Sequence, residues 1–168
     1  DSKGIYQAKF NTETGELSHF KLAAETQDPS YIAYSPNKQF LYAVGEGGDG
    51  TVSAFKVQET GNLEFLNTVS SNGGAPCHIS INPSGDKAVV SNYVGGSLSL
   101  YEIKGDGTLN PAYQTFKYST KEKASHAHSA QFYKSNLFVS DLGMDALYIY
   151  TLNDDGKTYE LVSSSSVS

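Results

Sequence analysis

Three segments of this chain repeat one pattern at a spacing of about 47 residues, and this repeat constrains the fold more than any other feature. The segments lie at 29–36, 76–83 and 125–132. Each is followed by an apolar run, a turn that contains glycine, a second apolar run, and a Gly with Leu or Tyr close behind it. Short strands repeated at this period are typical of propeller blades, so the sequence predicts an all-β fold, a β-propeller.

The strands can be assigned to blades in chain order. Apolar runs at 5–10 and 17–22 flank a turn at Thr14-Gly15 and predict a hairpin equivalent to the outer half of a blade. We divide a single partial propeller domain, 1–168, into an outer half-blade (1–27) and three four-stranded blades (28–74, 75–120 and 121–168). Closed propellers typically have about four to eight blades, because closure hides the strand edges. We therefore expect three and a half blades of a longer ring; a seven-bladed ring would take roughly twice this length at this repeat spacing.

The composition excludes several classes of function. The formal net charge is −6 and every basic side chain is Lys, so no basic surface is expected for a nucleic acid. No apolar stretch is long enough for a transmembrane helix, and we expect no membrane partner. Cys77 is the single cysteine, which excludes an internal disulfide and fits a reducing compartment. We predict a cytoplasmic protein.

Polar residues are predicted to meet at one mouth of the central channel. In a blade the innermost strand and its neighbour form a hairpin, so the start of one lies beside the end of the other. Pairing about the turns places His78 near Asn92 and His128 near Asp141. The polar residues gathered in this way come from three successive blades: Tyr31 and Glu46; His78, Asn92 and Tyr93; His126, His128 and Asp141. A concave polar mouth is a common binding place for a small ligand.

Short motifs in the right order over nearly the whole chain resemble the lactonase-type seven-bladed propellers. They are Gly4-Ile5-Tyr6, Thr12-Glu13-Thr14-Gly15-Glu16-Leu17, Leu22-Ala23-Ala24-Glu25-Thr26, Pro29-Ser30-Tyr31, Phe40-Leu41-Tyr42-Ala43-Val44, Pro76-Cys77-His78, Asn92-Tyr93-Val94-Gly95-Gly96-Ser97, His126-Ala127-His128-Ser129 and Asp141-Leu142-Gly143. This is the family of the propeller-type 6-phosphogluconolactonase, related to fungal carboxymuconate-lactonizing enzymes. The resemblance implies a hydrolase of carbohydrate metabolism that opens a sugar lactone without a metal or another cofactor. It also implies an Arg and a Glu from later blades, which this sequence does not contain.

Hydrolysis of a lactone requires a base that accepts a proton from water and groups that stabilise the oxyanion. A neutral imidazole suits the first task near pH 7. His128 matches a His-Ser pair of the family, and we predict it as the general base or as the group that orients the attacking water, with Asp141 fixing its tautomer. The other residues of the mouth are predicted to bind the substrate: His78, Asn92, Tyr93, His126 and Glu46.

The chain departs from the family pattern just before His126. Lys121-Glu122-Lys123-Ala124-Ser125 stands where the family tends to have an Arg-Gln and a Gly-Pro. If a phosphate is recognised on this half, Lys121 or Lys123 would contact it as a point charge. We expect residues 1–168 alone to be inactive, with the remaining blades of the same propeller as their partner.

Two other functions remain open. Glu46, Asn92 and Asp141 end equivalent strands, and their oxygen atoms would suit Ca²⁺ in a metal-dependent lactonase. The propeller could instead be a non-enzymatic module that binds a protein or a glycan. Three candidate residues could also have a structural role instead of a functional one. Asn92 and Asp141 stand where such residues shape turns, and His78 could bind backbone across the channel wall.

Overall fold

The structure, a computed structural model, describes residues 3–167, which form fourteen β-strands and no helix. The strands are β1 (Gly4–Phe10), β2 (Leu17–Glu25), β3 (Pro29–Tyr34), β4 (Phe40–Gly45), β5 (Thr51–Val57), β6 (Leu63–Ser70), β7 (Pro76–Ile81), β8 (Lys87–Asn92), β9 (Ser97–Glu102), β10 (Gln114–Lys117), β11 (Ala127–Tyr133), β12 (Asn136–Asp141), β13 (Ala146–Leu152) and β14 (Tyr159–Ser166). The described residues accordingly contain no helix that could cross a membrane. The predicted all-β fold is confirmed.

The strands form one two-stranded sheet and three four-stranded sheets in the described part of the chain. We name β1–β2 the half-blade, β3–β6 blade I, β7–β10 blade II and β11–β14 blade III. Every strand of a blade pairs antiparallel with the next strand in sequence, since a short hairpin turn can join only antiparallel neighbours. The predicted three and a half propeller blades are confirmed.

Apolar side chains between neighbouring sheets hold the blades together. Blades I and II share a buried cluster that includes Val52 and Ile79, and blades II and III share a second one that includes Leu98 and Leu137. A third cluster attaches the half-blade to blade I through Ile5. Because a central blade is covered on both faces, its middle strands carry buried residues at successive positions instead of alternate ones.

A glycine turn of blade II fits closely against blade I. Gly107 has a φ of +86°, and a Cβ added there would lie 2.2 Å from the Phe40 ring, so a larger residue would be strained and would clash. The Tyr42 hydroxyl donates a hydrogen bond to the Gly107 carbonyl at 3.1 Å. This turn therefore helps to set the position of blade II relative to blade I.

Truncation of the joint between blades II and III should destabilise the protein strongly. Leu98→Ala is expected to lower the free energy of unfolding by about 2–5 kcal/mol, because it empties a fully buried site. Leu161→Ala is the matched control, since Leu161 is largely exposed on β14 and its truncation should change the value by less than about 0.5 kcal/mol. Urea unfolding followed by circular dichroism measures both variants, and equal losses would contradict the role given to the joint.

Candidate active site at the channel mouth

The innermost strand of each blade carries a β-bulge at the same place. The pairing register shifts between Pro29 and Tyr31, between Pro76 and His78, and between Ala127 and Ser129. The bulged residues are Ser30, Cys77 and His128. A bulge inserts one extra residue and redirects the neighbouring side chains.

Beyond each bulge the strand pairing differs from the register expected from the sequence. Asn92 pairs with Pro76 instead of His78, and His78 lies opposite Ser91. In blade III, Asp141 pairs with Ala127 and not with the bulged His128. Counting back from the turn gives Ser91 as the partner of His78, as observed, and fails only for the pairs beyond the bulge, because the extra residue is invisible in an uninterrupted sequence pattern.

The first two bulged residues bridge to the next blade. The Ser30 hydroxyl donates to the Pro76 carbonyl at 3.2 Å, and the Cys77 thiol lies 3.4 Å from the His128 carbonyl. Burial, followed by the charge of Glu46, raises the pKa of Cys77 to about 11. Cys77 is therefore a neutral thiol near pH 7 that links the blades and is a poor nucleophile.

Aromatic and imidazole rings from the blades meet at the channel mouth. The Tyr93 ring stacks on His126 with 4.5 Å between ring centroids and an interplanar angle of 18°. The same ring meets His128 edge-on at 5.6 Å. Between blades I and II, the ring centroids of Tyr31 and His78 lie 4.5 Å apart. The structure thus brings together Tyr93, His126 and His128, as the sequence predicted.

The tautomer of His126 is set by a backbone carbonyl. His126 Nδ1 lies 3.0 Å from the carbonyl oxygen of Tyr93, and because a carbonyl can only accept, Nδ1 carries the proton. In the neutral ring Nε2 then has a free lone pair. Close packing holds this ring in place, since a Cβ on Gly143 would lie 2.8 Å from its Cδ2 atom.

Asp141 holds the loop that carries His126. Its buried carboxylate accepts hydrogen bonds from the His126 backbone N–H at 2.8 Å, from the Met144 N–H at 2.9 Å, and from the Ser125 hydroxyl. Within residues 3–167 no hydrogen bond joins Asp141 to the His128 ring, so the predicted contact is replaced by contacts to its own loop. Asp141 positions His126 through the backbone.

Asn92 of blade II has a structural role similar to that of Asp141 in blade III. It is fully buried, and its Nδ2 donates to the Ser71 carbonyl at 3.0 Å and the Ser97 hydroxyl at 3.1 Å. Its Oδ1 has no hydrogen-bond partner among the described residues. Because the Asn92 side chain is buried against Gly73, a ligand in the channel cannot reach it. This differs from the prediction that Asn92 binds the substrate.

His78 lines the wall between blades II and III and is almost completely buried. Its Nδ1 lies 3.4 Å from the Ala130 N–H, and its Nε2 lies 3.1 Å from the side-chain amide nitrogen of Gln131. Burial, and after it the charge of His128, lowers the pKa of His78 below its ordinary value of 6.5. His78 is therefore neutral near pH 7.

Sequence reasoning missed Ser125 and Gln131, two polar partners of the predicted residues. Nothing in the sequence marked Ser125 except its closeness to His126, because its hydrogen bond to Asp141 depends on how the loop folds. Gln131 could have been found, since it stands on the strand of His128 and faces the preceding blade. Glu46 is exposed at the blade I side of the mouth, with its backbone N–H bound to the Asp28 carbonyl.

A cleft of about 470 Å³ opens beside His128 in blade III, along β11, β12 and the start of β13. Its walls include Ser140, Asp141, Leu142 and Leu147. Across residues 3–167, no three His, Cys, Asp or Glu side chains are arranged to hold a metal ion. Asn92 is buried against Ser71 and Ser97, and Asp141 binds its own loop, so neither side chain supports the calcium alternative.

The family model for the lactonase family of 7-bladed β-propellers matches residues 1–168. The chain belongs to this family. The family predicted from the motifs is therefore confirmed, and with it a fold whose full ring has seven blades.

Relatives and solved structures agree with the family. A 6-phosphogluconolactonase of Bacillus subtilis (strain 168) is 33% identical over 162 residues, covering 91% of this chain and 46% of the relative. A 6-phosphogluconolactonase of Formosa agariphila is 32% identical over 164 residues, covering 90% of this chain and 46% of the relative. A crystal structure of a protein from Lactobacillus plantarum superposes with a TM-score of 0.86 at 29% identity, covering 99% of this chain and 50% of that one. The lactonase-family chain described here thus spans about half the length of the relatives it matches.

The lowered pKa of His78 predicts a stability that depends on pH. In the unfolded chain the ordinary pKa of 6.5 returns, so between the two pKa values the unfolded state binds more protons than the folded one. The contribution of His78 should be fully present above about pH 6.5 and lost as the pH falls below it, with a slope of at most about 1.4 kcal/mol per pH unit. Urea unfolding across this range should give a flatter profile for His78→Gln, and an unchanged slope would contradict the burial of the neutral ring.

Loss of the Asp141 carboxylate should destabilise the protein itself. Asp141→Ala is expected to lower the free energy of unfolding by about 2–5 kcal/mol, because it leaves three donors of the loop without their acceptor. Asp49→Ala, in an exposed loop, is the matched control and should be close to neutral. Chemical denaturation compares the two, and a fully stable Asp141→Ala variant would refute the positioning role.

Proposed function

We propose that the propeller to which this chain belongs hydrolyses a sugar lactone, with 6-phosphogluconolactone as its substrate. Membership of the lactonase family supports the reaction type. Two relatives of more than 30% identity that are named 6-phosphogluconolactonase support the substrate. Because the chain spans about half of each relative, further blades are proposed to complete the site.

The observation that carries the chemical part of this proposal is the fixed tautomer of His126. The Tyr93 carbonyl holds the proton on Nδ1, so Nε2 can accept a proton without any rearrangement. His126 is only partly buried, and the Asp141 carboxylate holds its backbone in place. We therefore propose His126 as the general base, whereas the sequence predicted its neighbour His128 for this role.

The reaction needs one water and no other reagent. The water oxygen attacks the lactone carbonyl carbon while its proton passes to Nε2 of His126, which gives a tetrahedral oxyanion and an imidazolium. Collapse of this intermediate breaks the bond between the acyl carbon and the ring oxygen. The imidazolium then returns its proton to the departing oxygen, and the open hydroxy acid is released.

The neighbouring rings are proposed to hold the sugar. His128 is exposed at the mouth and meets the edge of Tyr93, so it can donate to a hydroxyl or to the carbonyl oxygen. His78 remains neutral under Tyr31 and contributes to the channel wall. Glu46 can accept from a sugar hydroxyl on the opposite side of the mouth.

A phosphate group would meet lysines before His126. Lys123 forms an exposed ion pair with Asp145 at 2.8 Å, and such exposed pairs contribute only about 0–1 kcal/mol, so it can be exchanged for a phosphate. Lys121 is exposed on the same loop. Both are proposed to favour a phosphorylated lactone over the unphosphorylated one.

The full-length product of the gene tests this proposal in hydrolysis assays with 6-phosphogluconolactone and gluconolactone. His126→Gln is expected to lower kcat/KM by at least about 100-fold, the usual minimum for a lost general base. His19→Gln is the matched control, because His19 lies exposed on the outer strand β2, and its activity should be unchanged. His128→Ala is compared directly with His126→Gln.

The outcomes separate the alternatives. A larger loss in His128→Ala with normal turnover in His126→Gln would move the base to His128, as the sequence predicted. Normal turnover in both variants would refute an imidazole base. No turnover of either lactone by the wild-type protein would contradict the lactonase assignment and favour the non-enzymatic binding module.

A further inference from the structure

Asn72 is the only asparagine of the sequence that is followed by glycine. It stands in residues 71–75, which join β6 of blade I to β7 of blade II, and we name this segment the linking loop. Asn72 is exposed and has a φ of +55°, a conformation that asparagine tolerates in turns. Its side-chain amide therefore lies at the surface, next to a residue that has no side chain of its own.

Two neighbouring groups of the linking loop are uncommitted. Within residues 3–167, no hydrogen bond is made by the Asn72 side-chain amide or by the Gly73 backbone N–H. Asn11, in the exposed turn of the half-blade, differs in both respects. Its side-chain oxygen accepts two backbone N–H groups of its own turn, at 2.9 and 3.2 Å, and the β-branched Thr12 follows it. Asn72 is thus free to react where Asn11 is bound and shielded.

The packing of the linking loop explains why glycine follows Asn72. A Cβ at Gly73 would lie 2.6 Å from the Ser97 Oγ atom and 2.7 Å from the Cβ atom of the fully buried Asn92. No larger residue fits there without a shift of these neighbours. The joint between blades I and II therefore requires the residue that leaves the Asn72 amide unshielded.

We propose that Asn72 and Gly73 form a site of spontaneous deamidation; asparagine is among the thermolabile residues. The Gly73 backbone nitrogen loses its proton and bonds to the Cγ carbon of Asn72. The bond from Cγ to the amide nitrogen breaks, and ammonia leaves with the proton. Water then opens the resulting succinimide ring at either carbonyl, which gives an aspartate or an isoaspartate at this position. The reaction consumes one water and needs no other reagent.

The isoaspartate product does not fit the linking loop. Asn72 lies between two anchored residues, since the Ser71 carbonyl accepts a hydrogen bond from Asn92 Nδ2 at 3.0 Å and Gly73 packs on the same side chain. The Ser71 hydroxyl also donates to the Gly73 carbonyl. An isoaspartate adds one carbon–carbon bond of about 1.5 Å to the backbone between these anchors. One of the two must then leave its place on Asn92.

The linking loop also holds the channel mouth. The Ala75 carbonyl accepts a hydrogen bond from the Tyr93 N–H at 2.9 Å, and the Gly74 carbonyl accepts one from the Gly95 N–H at 2.9 Å. The Tyr93 carbonyl in turn lies 3.0 Å from His126 Nδ1. Isomerisation of the loop therefore releases the Tyr93 backbone, and with it the group that fixes the tautomer of His126.

The test is incubation of the full-length gene product in mildly alkaline buffer, followed by digestion in acid and peptide mass spectrometry. The peptide with Asn72 is expected to gain the mass of an acid in place of an amide and to become a substrate for isoaspartyl methyltransferase. Conversion should be faster at higher pH, because the attacking nitrogen must lose its proton. The peptide with Asn11 is the internal control and should stay unchanged.

Two variants separate the longer backbone from other effects of ageing. In the aged wild-type protein the Tyr93 amide should exchange with deuterium about tenfold faster, and kcat/KM should fall about tenfold to 100-fold as isoaspartate accumulates. Asn72→Gly removes the reacting amide and tolerates the positive φ, so it should keep both values on ageing. Fresh Asn72→Asp carries the new charge without the added bond and should behave like the fresh wild type.

Three results would overturn the inference. The first is a peptide with Asn72 that reacts no faster than the peptide with Asn11. The second is an isoaspartate that leaves the exchange of the Tyr93 amide unchanged. The third is an equal loss in aged Asn72→Gly or in fresh Asn72→Asp. Only the activity readout rests on the proposed function; a protein without lactonase activity would contradict that function, while the mass spectra and the Tyr93 exchange would still decide this inference.

Discussion

Apolar contact between the faces of neighbouring sheets is the interaction on which the rest of this structure depends. A short antiparallel sheet is marginally stable alone in water, so each blade needs cover from its neighbours. The clusters that join blade I to II and blade II to III provide this cover. They also fix the direction of each blade, so that the bulged ends of β3, β7 and β11 meet at one mouth. Because of this packing the Tyr93 ring stacks on His126, and the Tyr31 ring lies against His78.

The bulged position recurs in all three blades, but its side chain makes different contacts in them. In blades I and II the bulged residue is small and polar, and its side chain reaches the backbone of the next blade. In blade III it is His128, whose ring lies against Tyr93 instead. A position that ties two blades together elsewhere thus presents an imidazole to the channel. The same backbone feature thus serves both blade packing and the polar character of the channel mouth.

The candidate site was predictable as a group of residues but not as a set of bonds. Strand ends of successive blades had to converge once the repeat was recognised, so Tyr93, His126 and His128 could be placed together. The partners of Asp141 could not, because its carboxylate turns toward its own loop and binds backbone N–H groups there. The burial of Asn92 depends in the same way on a close approach of Gly73. These bonds depend on loop conformations that carry no periodic signal.

The sequence by itself determined the blades, their order and the family, because a repeat of short apolar runs specifies strands, and strands joined by short turns must pair with their neighbours. Only the tertiary structure decided the register at the mouth, the tautomer of His126 and the neutral state of His78. Each of these depends on atoms of a neighbouring blade or loop, such as the Tyr93 carbonyl and the Ala130 N–H. Such contacts join residues far apart in the chain, and no local pattern records them.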